Sequence, residues 1–322
     1  MRAVRYERYG GPERLHLVEL PSPVPGSGEV LVRVRAASVN SWDWDLLRGR
    51  PLFARLGGPL RPRMPVLGAD VAGEVIAVGD GVTELAVGDR VHGDLSSAGW
   101  GGFAEFVAAP ATAFRRIPDG IGFTDAAALP QAGGLALQGL RLAHVGPGDR
   151  VLVNGAGGGA GTLAVQLARR AGAAVTAVDR SDKLDLLTRL GATRAIDLAD
   201  PAAGQPPPDG GYDAILELVA RRRLRDYRSM LAPQGRFVII GGRMGVILAT
   251  FAFGRSMGRD GRSYRVLAAH ANEGLEDLDA IVASGEVRPV IDAVLPLGGV
   301  PEALARIGAG DVHGKLVIDP TQ

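Results

Sequence analysis

Along the first third of the chain, apolar and polar residues alternate in short runs: VRYERYG, EVLVRVRAAS, GEVIAVG, DRVHGD and FAEFVAAP, each bounded by glycine or proline. That texture predicts an antiparallel β domain up to about residue 120. From Thr124 the period lengthens: AAALPQAGGLALQGLRLA, TLAVQLARRAG and KLDLLTRLG carry helical spacing. They alternate with the apolar runs RVLVN, AVTAVD, AIDL, YDAILELV and GRFVII, which predicts βαβ units around a parallel sheet. The QPPPDGG stretch from Gln205 to Gly211 reads as a surface loop. Beyond Gly242, MGVILATFAFG reads as a lid or an interface, SYRVLAAH as one more strand, and Leu275 to Ser284 as a helix. Residues 287–318 return to short strands around one helix, so the chain is expected to re-enter its first domain. The expected division is 1–121 with 286–322 against 122–285, two domains being natural for 322 residues.

Composition acts on this picture by exclusion. The chain has no cysteine, which removes disulfides, thiolate nucleophiles and sulfur-ligated zinc. Its net charge is +1 with both signs interspersed, so neither a nucleic acid nor a membrane surface is an expected partner. The longest apolar stretch, near Val246 to Phe253, falls far short of the ~18 residues a spanning helix needs. The charged start MRAVRYERYG lacks an apolar targeting core, and a cytoplasmic location is expected. No Ser/His/Asp arrangement or carboxylate pair marks a hydrolytic site.

One motif carries specific chemistry. The strand RVLVN runs into Gly155, Ala156, Gly157, Gly158, Gly159, Ala160 and Gly161, and then directly into a helix. Glycines allow a tight turn and close backbone approach to a pyrophosphate, and the helix start offers unpaired N–H groups. Two registers satisfy the pattern, Gly155-x-Gly157-x-x-Ala160 and Ala156-x-Gly158-x-x-Gly161. The second is preferred, because it puts Gly161 where helix and strand pack closest. The next strand ends at Asp179, near the ~20-residue spacing of the acid that binds the adenosine ribose. A carboxylate there repels a 2′-phosphate, so NAD(H) is favoured. Arg180 and Lys183, just downstream, could pair with such a phosphate and keep NADP(H) as an alternative.

With these residues in place, the chain resembles the zinc-free quinone oxidoreductase branch of the medium-chain dehydrogenase/reductase superfamily. The resemblance covers nearly its whole length. It is carried, in order, by GGPERL, PGSGEVLVRVRAASVN, NSWDWDLLRGRP, PVLGADVAGEVIAVG, VGDRVHG, GGFAEFV, AAALP, VNGAGGGAG, LGATRAIDL, VIIGG and GKLVID. It implies an α/β protein: a GroES-like β-rich catalytic domain around a Rossmann doubly wound parallel sheet domain, with the dinucleotide held between domains. Zinc-dependent relatives place a histidine ligand and a glutamate after the glycine that matches Gly68. Ala69 and Asp70 stand there, so no zinc is expected. Short-chain reductases use Tyr-x-x-x-Lys, but Asp179 and Asp311 precede Lys183 and Lys315 by four.

The resemblance also implies roles. Asn40 matches an asparagine beside the nicotinamide, with a turn cap as its alternative. Asp43 matches a residue that holds the adjoining loop or acts directly, and Trp42 and Trp44 either stack on a flat substrate or fill core. Further cofactor contacts are implied at Leu218, Gly241 and Gly242. Leu135, Leu198 and the turn Glu217-Leu218-Val219-Ala220 depart from the branch, and the leucine at 198, where NADPH users carry tyrosine, points toward NADH. His92, Tyr264 and His270 are the candidate proton donors, whereas His16, His144 and His313 look peripheral. The expected activity is hydride transfer from NAD(P)H to a quinone or α,β-unsaturated carbonyl, on an apolar or aromatic small molecule. Alternatives are a tailoring enoyl reductase of a biosynthetic pathway and a non-redox dinucleotide-binding protein or cyclase. A homodimer through SYRVLAAH is implied by the family.

Overall fold

A computed structural model describes residues 1–55, 58–207 and 210–322; Pro208 and Asp209 of the QPPPDGG loop lie outside the described residues. The chain divides into two compact units, 1–131 with 271–322, and 132–270. These bounds fall inside those expected from texture, so the helix at Leu275 counts with the outer segments.

The first unit starts with β1 (Arg2–Arg5) and β2 (His16–Glu19), an antiparallel pair. There follow β3 (Glu29–Val39), α1 (Ser41–Arg48), β4 (Asp70–Val78), β5 (Arg90–Asp94), β6 (Phe106–Pro110), β7 (Arg115–Arg116) and α2 (Phe123–Ala127); α3 (Pro130–Leu142) begins at the boundary and belongs, from residue 132, to the second unit. In β3, Val30, Val32 and Val34 point into the core with Arg33 exposed between them, the period-two signature of a half-buried strand. From Ala36 to Val39 every position is buried, and the side chains become small to fit. There β3 lies between β4 on one side and a strand from the far end of the chain on the other.

In the second unit β8 (Arg150–Asn154), α4 (Gly159–Arg170), β9 (Ala174–Asp179), α5 (Leu184–Arg189), β10 (Arg194–Asp197), β11 (Tyr212–Glu217), α6 (Leu224–Met230), β12 (Leu231–Ile239), α7 (Met244–Met257) and β13 (Ser263–Val266) alternate as expected. The strands form one parallel sheet in the order β10-β9-β8-β11-β12-β13. That is the doubly wound order, with its reversal between β8 and β11. Val151, Leu152 and Val153 read as an unbroken apolar run because neighbours cover both faces of a central parallel strand.

The chain then re-enters the first unit with α8 (Leu275–Ala283), β14 (Ile291–Pro296), α9 (Val300–Ala309) and β15 (Lys315–Asp319). The resulting seven-stranded sheet runs β14-β15-β3-β4-β5-β7, with β6 also on β3. It is mixed rather than purely antiparallel, because β14 and β15 are parallel, joined by the α9 crossover. The segment read as a lid or an interface is α7, packed beside β13.

Candidate active site

In the second unit the site is made by backbone. Gly155 takes φ +82, a left-handed conformation that suits glycine, as the chain leaves β8. The Gly155 and Ala156 N–H groups donate to the Val178 carbonyl, tying the loop to β9. A Cβ on Gly161 would sit 2.2 Å from the Gly155 oxygen and 2.6 Å from Ala156 backbone atoms. The helix thus meets the strand loop at Gly161, as the second register requires. Gly158, the N-cap of α4, has no side chain to cap the first turn. The N–H groups and positive dipole end of that turn therefore remain for an anion.

Asp179 closes β9 beside this loop. Its Oδ2 accepts from the Gly157 N–H at 2.7 Å and its Oδ1 from the Arg180 N–H at 2.8 Å. Buried Lys183 brings Nζ to 3.7 Å from Oδ1. A Cβ on Gly157 would strike the Lys183 stem at 2.4 Å, so glycine lets acid, lysine and loop share this corner. The exposed Arg180 guanidinium faces Asp182 at 3.0 and 3.4 Å. Arg180, Ser181, Asp182, Asp197, Leu198 and Ala199 line an open hollow of about 550 Å³ at the end of β9 and β10.

At the sheet's switch point, fully buried Glu217 ends β11 opposite Asn154, which ends β8. Asn154 Nδ2 donates to both carboxylate oxygens at 2.8 Å, and the Val219 N–H donates to Oε1 at 3.1 Å. Burial pushes the Glu217 carboxyl above the usual range, against these donors. Leu218 is fixed by its N–H to the Asn154 carbonyl. A Cβ on Gly241 would lie 2.6 Å from the Leu218 oxygen, and Gly242 has φ +124 against Ala220, so both glycines are required by close backbone approach.

The first unit builds its site from side chains. Asn40, at the end of β3, precedes α1, and Asp43 reaches back to accept from the Asn40 backbone N–H at 2.8 Å. The other Asp43 oxygen accepts from the Gly68 N–H at 2.9 Å. Asp43 therefore ties two loops together. The Asn40 amide is engaged elsewhere: Nδ2 donates to Asp70 Oδ2 at 3.0 Å, and Lys315 Nζ donates to Oδ1 at 2.5 Å. Asp70 also accepts from Ser38 Oγ at 2.9 Å and from the Gln131 N–H at 3.0 Å. Asp94 lies directly across the ladder from Asp70. Ser38, Asn40, Asp43, Asp70, Asp94 and Lys315 are all buried. Burial pushes the Asp43 carboxyl up to about 7 and that of Asp94 up to about 6, the second aided by the Asp70 charge. Burial also pulls the Lys315 ammonium down, opposed by Asp70 and Asp43.

Comparison with known proteins decides the family. The alcohol dehydrogenase GroES-like domain matches residues 26–119, and the zinc-binding dehydrogenase family matches residues 190–318. The chain is 34% identical to a chloroplast envelope quinone oxidoreductase homolog of Arabidopsis thaliana, over 99% of this chain and 98% of that protein. The chain belongs to the quinone oxidoreductase branch of the medium-chain dehydrogenase/reductase superfamily. Among solved structures, a quinone oxidoreductase from Coxiella burnetii superposes with TM-score 0.86 at 30% identity, covering 99% of both chains. A structure described as an NAD-dependent alcohol dehydrogenase gives 0.85 at 30% identity, again over 99% of both. This medium-chain dehydrogenase/reductase is accordingly an oxidoreductase enzyme that binds a nicotinamide dinucleotide, and its glycine loop and open helix start fit that group. Among the described residues, no helix is long and apolar enough to cross a membrane, and no cluster of three or more His, Cys, Asp or Glu could hold a metal ion.

The remaining sequence candidates fall into place within this reductase fold. Trp42 is half-buried and stacks on Phe53, ring centroids 5.6 Å apart, while Trp44 packs against Gly308 of α9. His92 is wholly buried, with Nδ1 2.9 Å from the Ala126 carbonyl and Nε2 3.0 Å from Asp279. Tyr264 is buried against Phe237, and His270 is exposed at the ring, its backbone held by Gln138. Leu135 and Leu198 are half-buried. Sequence reasoning missed Asp70, Asp94 and Lys315 as members of the Asn40 cluster. Asp70 was noted only for the ligand its neighbour lacks; the useful signal was a charged residue inside a run that reads as a fully buried strand.

Proposed function

We propose that this protein is a zinc-independent, NADH-preferring reductase of quinones or α,β-unsaturated carbonyls that works as a homodimer. The carrying observation is Asp179, closing β9 with a carboxylate beside the Gly157 N–H. A carboxylate there accepts from the 2′- and 3′-hydroxyls of an adenosine ribose and repels a 2′-phosphate. The cations nearby are already faced by carboxylates, Lys183 by Asp179 and Arg180 by Asp182, and Asp197 adds another acid to the hollow.

When bound, the reduced nicotinamide supplies a hydride ion. The chain's own part is orientation and charge stabilisation. Asn40 has one amide N–H beyond the one spent on Asp70, and it donates to the acceptor's carbonyl oxygen as negative charge gathers there. Such a donor contributes about 10²–10³-fold in rate. Trp42 and Phe53 offer a flat apolar surface to an aromatic acceptor. Water supplies the proton that completes the reduction, and Asp43 holds the loop that carries Asn40.

The dimer reading draws on α7 and β13. Leu248, Phe251 and Phe253 are exposed on α7, and β13 is the outermost strand of its sheet. The test is oxidation of NADH and NADPH, followed by absorbance, with 1,4-naphthoquinone, a straight-chain enone and crotonyl-CoA as acceptors. Oxidation of NADH by at least one of the first two is expected, with NADH bound more tightly than NADPH. Binding without oxidation by any acceptor overturns the reductase reading, and tighter NADPH binding overturns the reading of Asp179.

A further inference from the structure

Within the first unit, strand register brings residues far apart in the chain to one spot. β15 runs antiparallel to β3 with Leu316 opposite Val39, so Lys315 falls opposite Asn40 one step on. β4 lies on the other side of β3 with Asp70 opposite Ser38. The Asn40 amide is therefore flanked by an ammonium and a carboxylate that come from opposite neighbours of its own strand. Lys315 Nζ reaches the Val39 carbonyl at 3.2 Å, Asn40 Oδ1 at 2.5 Å and Asp70 Oδ2 at 3.5 Å, an acceptor for each of its N–H bonds.

We propose that Lys315 and Asp70 are positioning residues for the reaction: they grip the two ends of the Asn40 amide and so aim its uncommitted N–H at the carbonyl oxygen of the acceptor. This rests on the reading of Asn40 as the donor to that oxygen. An ammonium can only donate and an ionised carboxylate can only accept, so the pair admits one orientation of the amide. With a neutral water on each side, either orientation would serve. A charged donor on Oδ1 also polarises the amide and strengthens its N–H groups as donors, an effect enhanced where water is excluded.

The cost of the arrangement argues for a use. Burial lowers the affinity of Lys315 for its proton, and buried ion pairs add little net stability. Lysine itself is informative: of 36 basic residues only Lys183 and Lys315 are lysines, and both are buried against an aspartate. A compact ammonium on a flexible stem can meet acceptors in three directions, which a planar guanidinium cannot.

The experiment is a mutant cycle read with NADH and 1,4-naphthoquinone. Lys315→Met should lower kcat about 10²-fold, the scale of losing an oriented donor, while KM for the quinone and Kd for NADH hold. In an Asn40→Ala background the same change should have no further effect on kcat. Lys315→Met/Asp70→Asn removes the charges together and serves where the single variant fails to fold; it should show the same loss of kcat with NADH binding retained. Independently of activity, the Asn40 side-chain amide resonances of the cofactor-free protein should shift in both variants. A folded double variant with full kcat beside a defective Asn40→Ala overturns this inference alone, as does an equal fall of kcat in the Asn40→Ala background. Full kcat in Asn40→Ala overturns the reading of Asn40, and this inference with it.

Discussion

The two units present their polar groups in opposite ways. In the 132–270 unit the loop between β8 and α4 presents N–H groups and a helix dipole, and the side chain that matters most is a hydrogen atom at Gly155, Gly157 and Gly161. In the other unit the polar groups are side chains, Asn40, Asp70, Asp94 and Lys315, buried along a sheet with the Asn40 amide between Asp70 and Lys315. A backbone site has no charge to balance and fails when volume is added. A buried side-chain site tolerates a little volume and fails when a charge is left alone.

The largest effect should come from leaving a buried polar group unpartnered in the side-chain unit. His92→Leu removes the imidazole that faces the buried Asp279 carboxyl and should cost about 3 kcal/mol in urea denaturation, most of it recovered by adding Asp279→Leu. Volume is the corresponding test of the backbone unit. Gly161→Val drives a side chain into the Gly155 carbonyl, and overpacking of this kind costs about 1–3 kcal/mol; NADH titration should show a weakened or lost complex.

A third test uses pH. Burial pushes the Asp43 carboxyl up to about 7 in the folded protein, from an ordinary 3.8. Between these values the folded state holds a proton that the unfolded state has lost, so stability falls as pH rises from about 4 to about 7 and levels above. Asp94, raised to about 6, adds to the fall over the lower part of that range. Asp43→Asn should flatten the urea midpoint against pH, and should also lower stability by about 1–3 kcal/mol, because its NH₂ faces a backbone N–H that needs an acceptor. An unchanged slope would show that Asp43 is ionised throughout. The smallest effect lies at the adenosine end. Asp182→Asn releases Arg180 from an exposed ion pair worth about 0.2–1 kcal/mol, so NADPH affinity should improve about fivefold or less while NADH affinity holds.

The same contrast governs what could be read from sequence. The glycine loop is contiguous, and its neighbours in space are its neighbours in the chain, so GAGGGAG between RVLVN and an apolar helix announces both shape and purpose. The parallel sheet was legible for a similar reason, since each βαβ unit closes locally. Asp70 and Lys315, by contrast, stand 245 residues apart and meet only through the ladders of β3 with β4 and β15. Periodicity predicts that each lies on a strand; it does not predict register between distant strands. Asn40 and Asp43 were placed by family resemblance, and nothing in their local spacing tells that Asp43 spends both oxygens on backbone N–H groups. The parallel pairing of β14 and β15 was likewise hidden, because short strands around a helix do not declare which edge they join.

The pairing of β15 with β3 also sets an order of events at the ribosome. The parallel sheet is built from one continuous stretch and can close as soon as that stretch emerges. β3 keeps one edge open through translation of more than 250 further residues, until Leu316 to Ile318 arrive. An open edge of Ala37, Ser38 and Val39 is a template for pairing with another nascent chain. Emergence of β15 should therefore be the moment at which this sheet becomes resistant to aggregation, and polypeptides stalled before β15 should be the ones that chaperones retain.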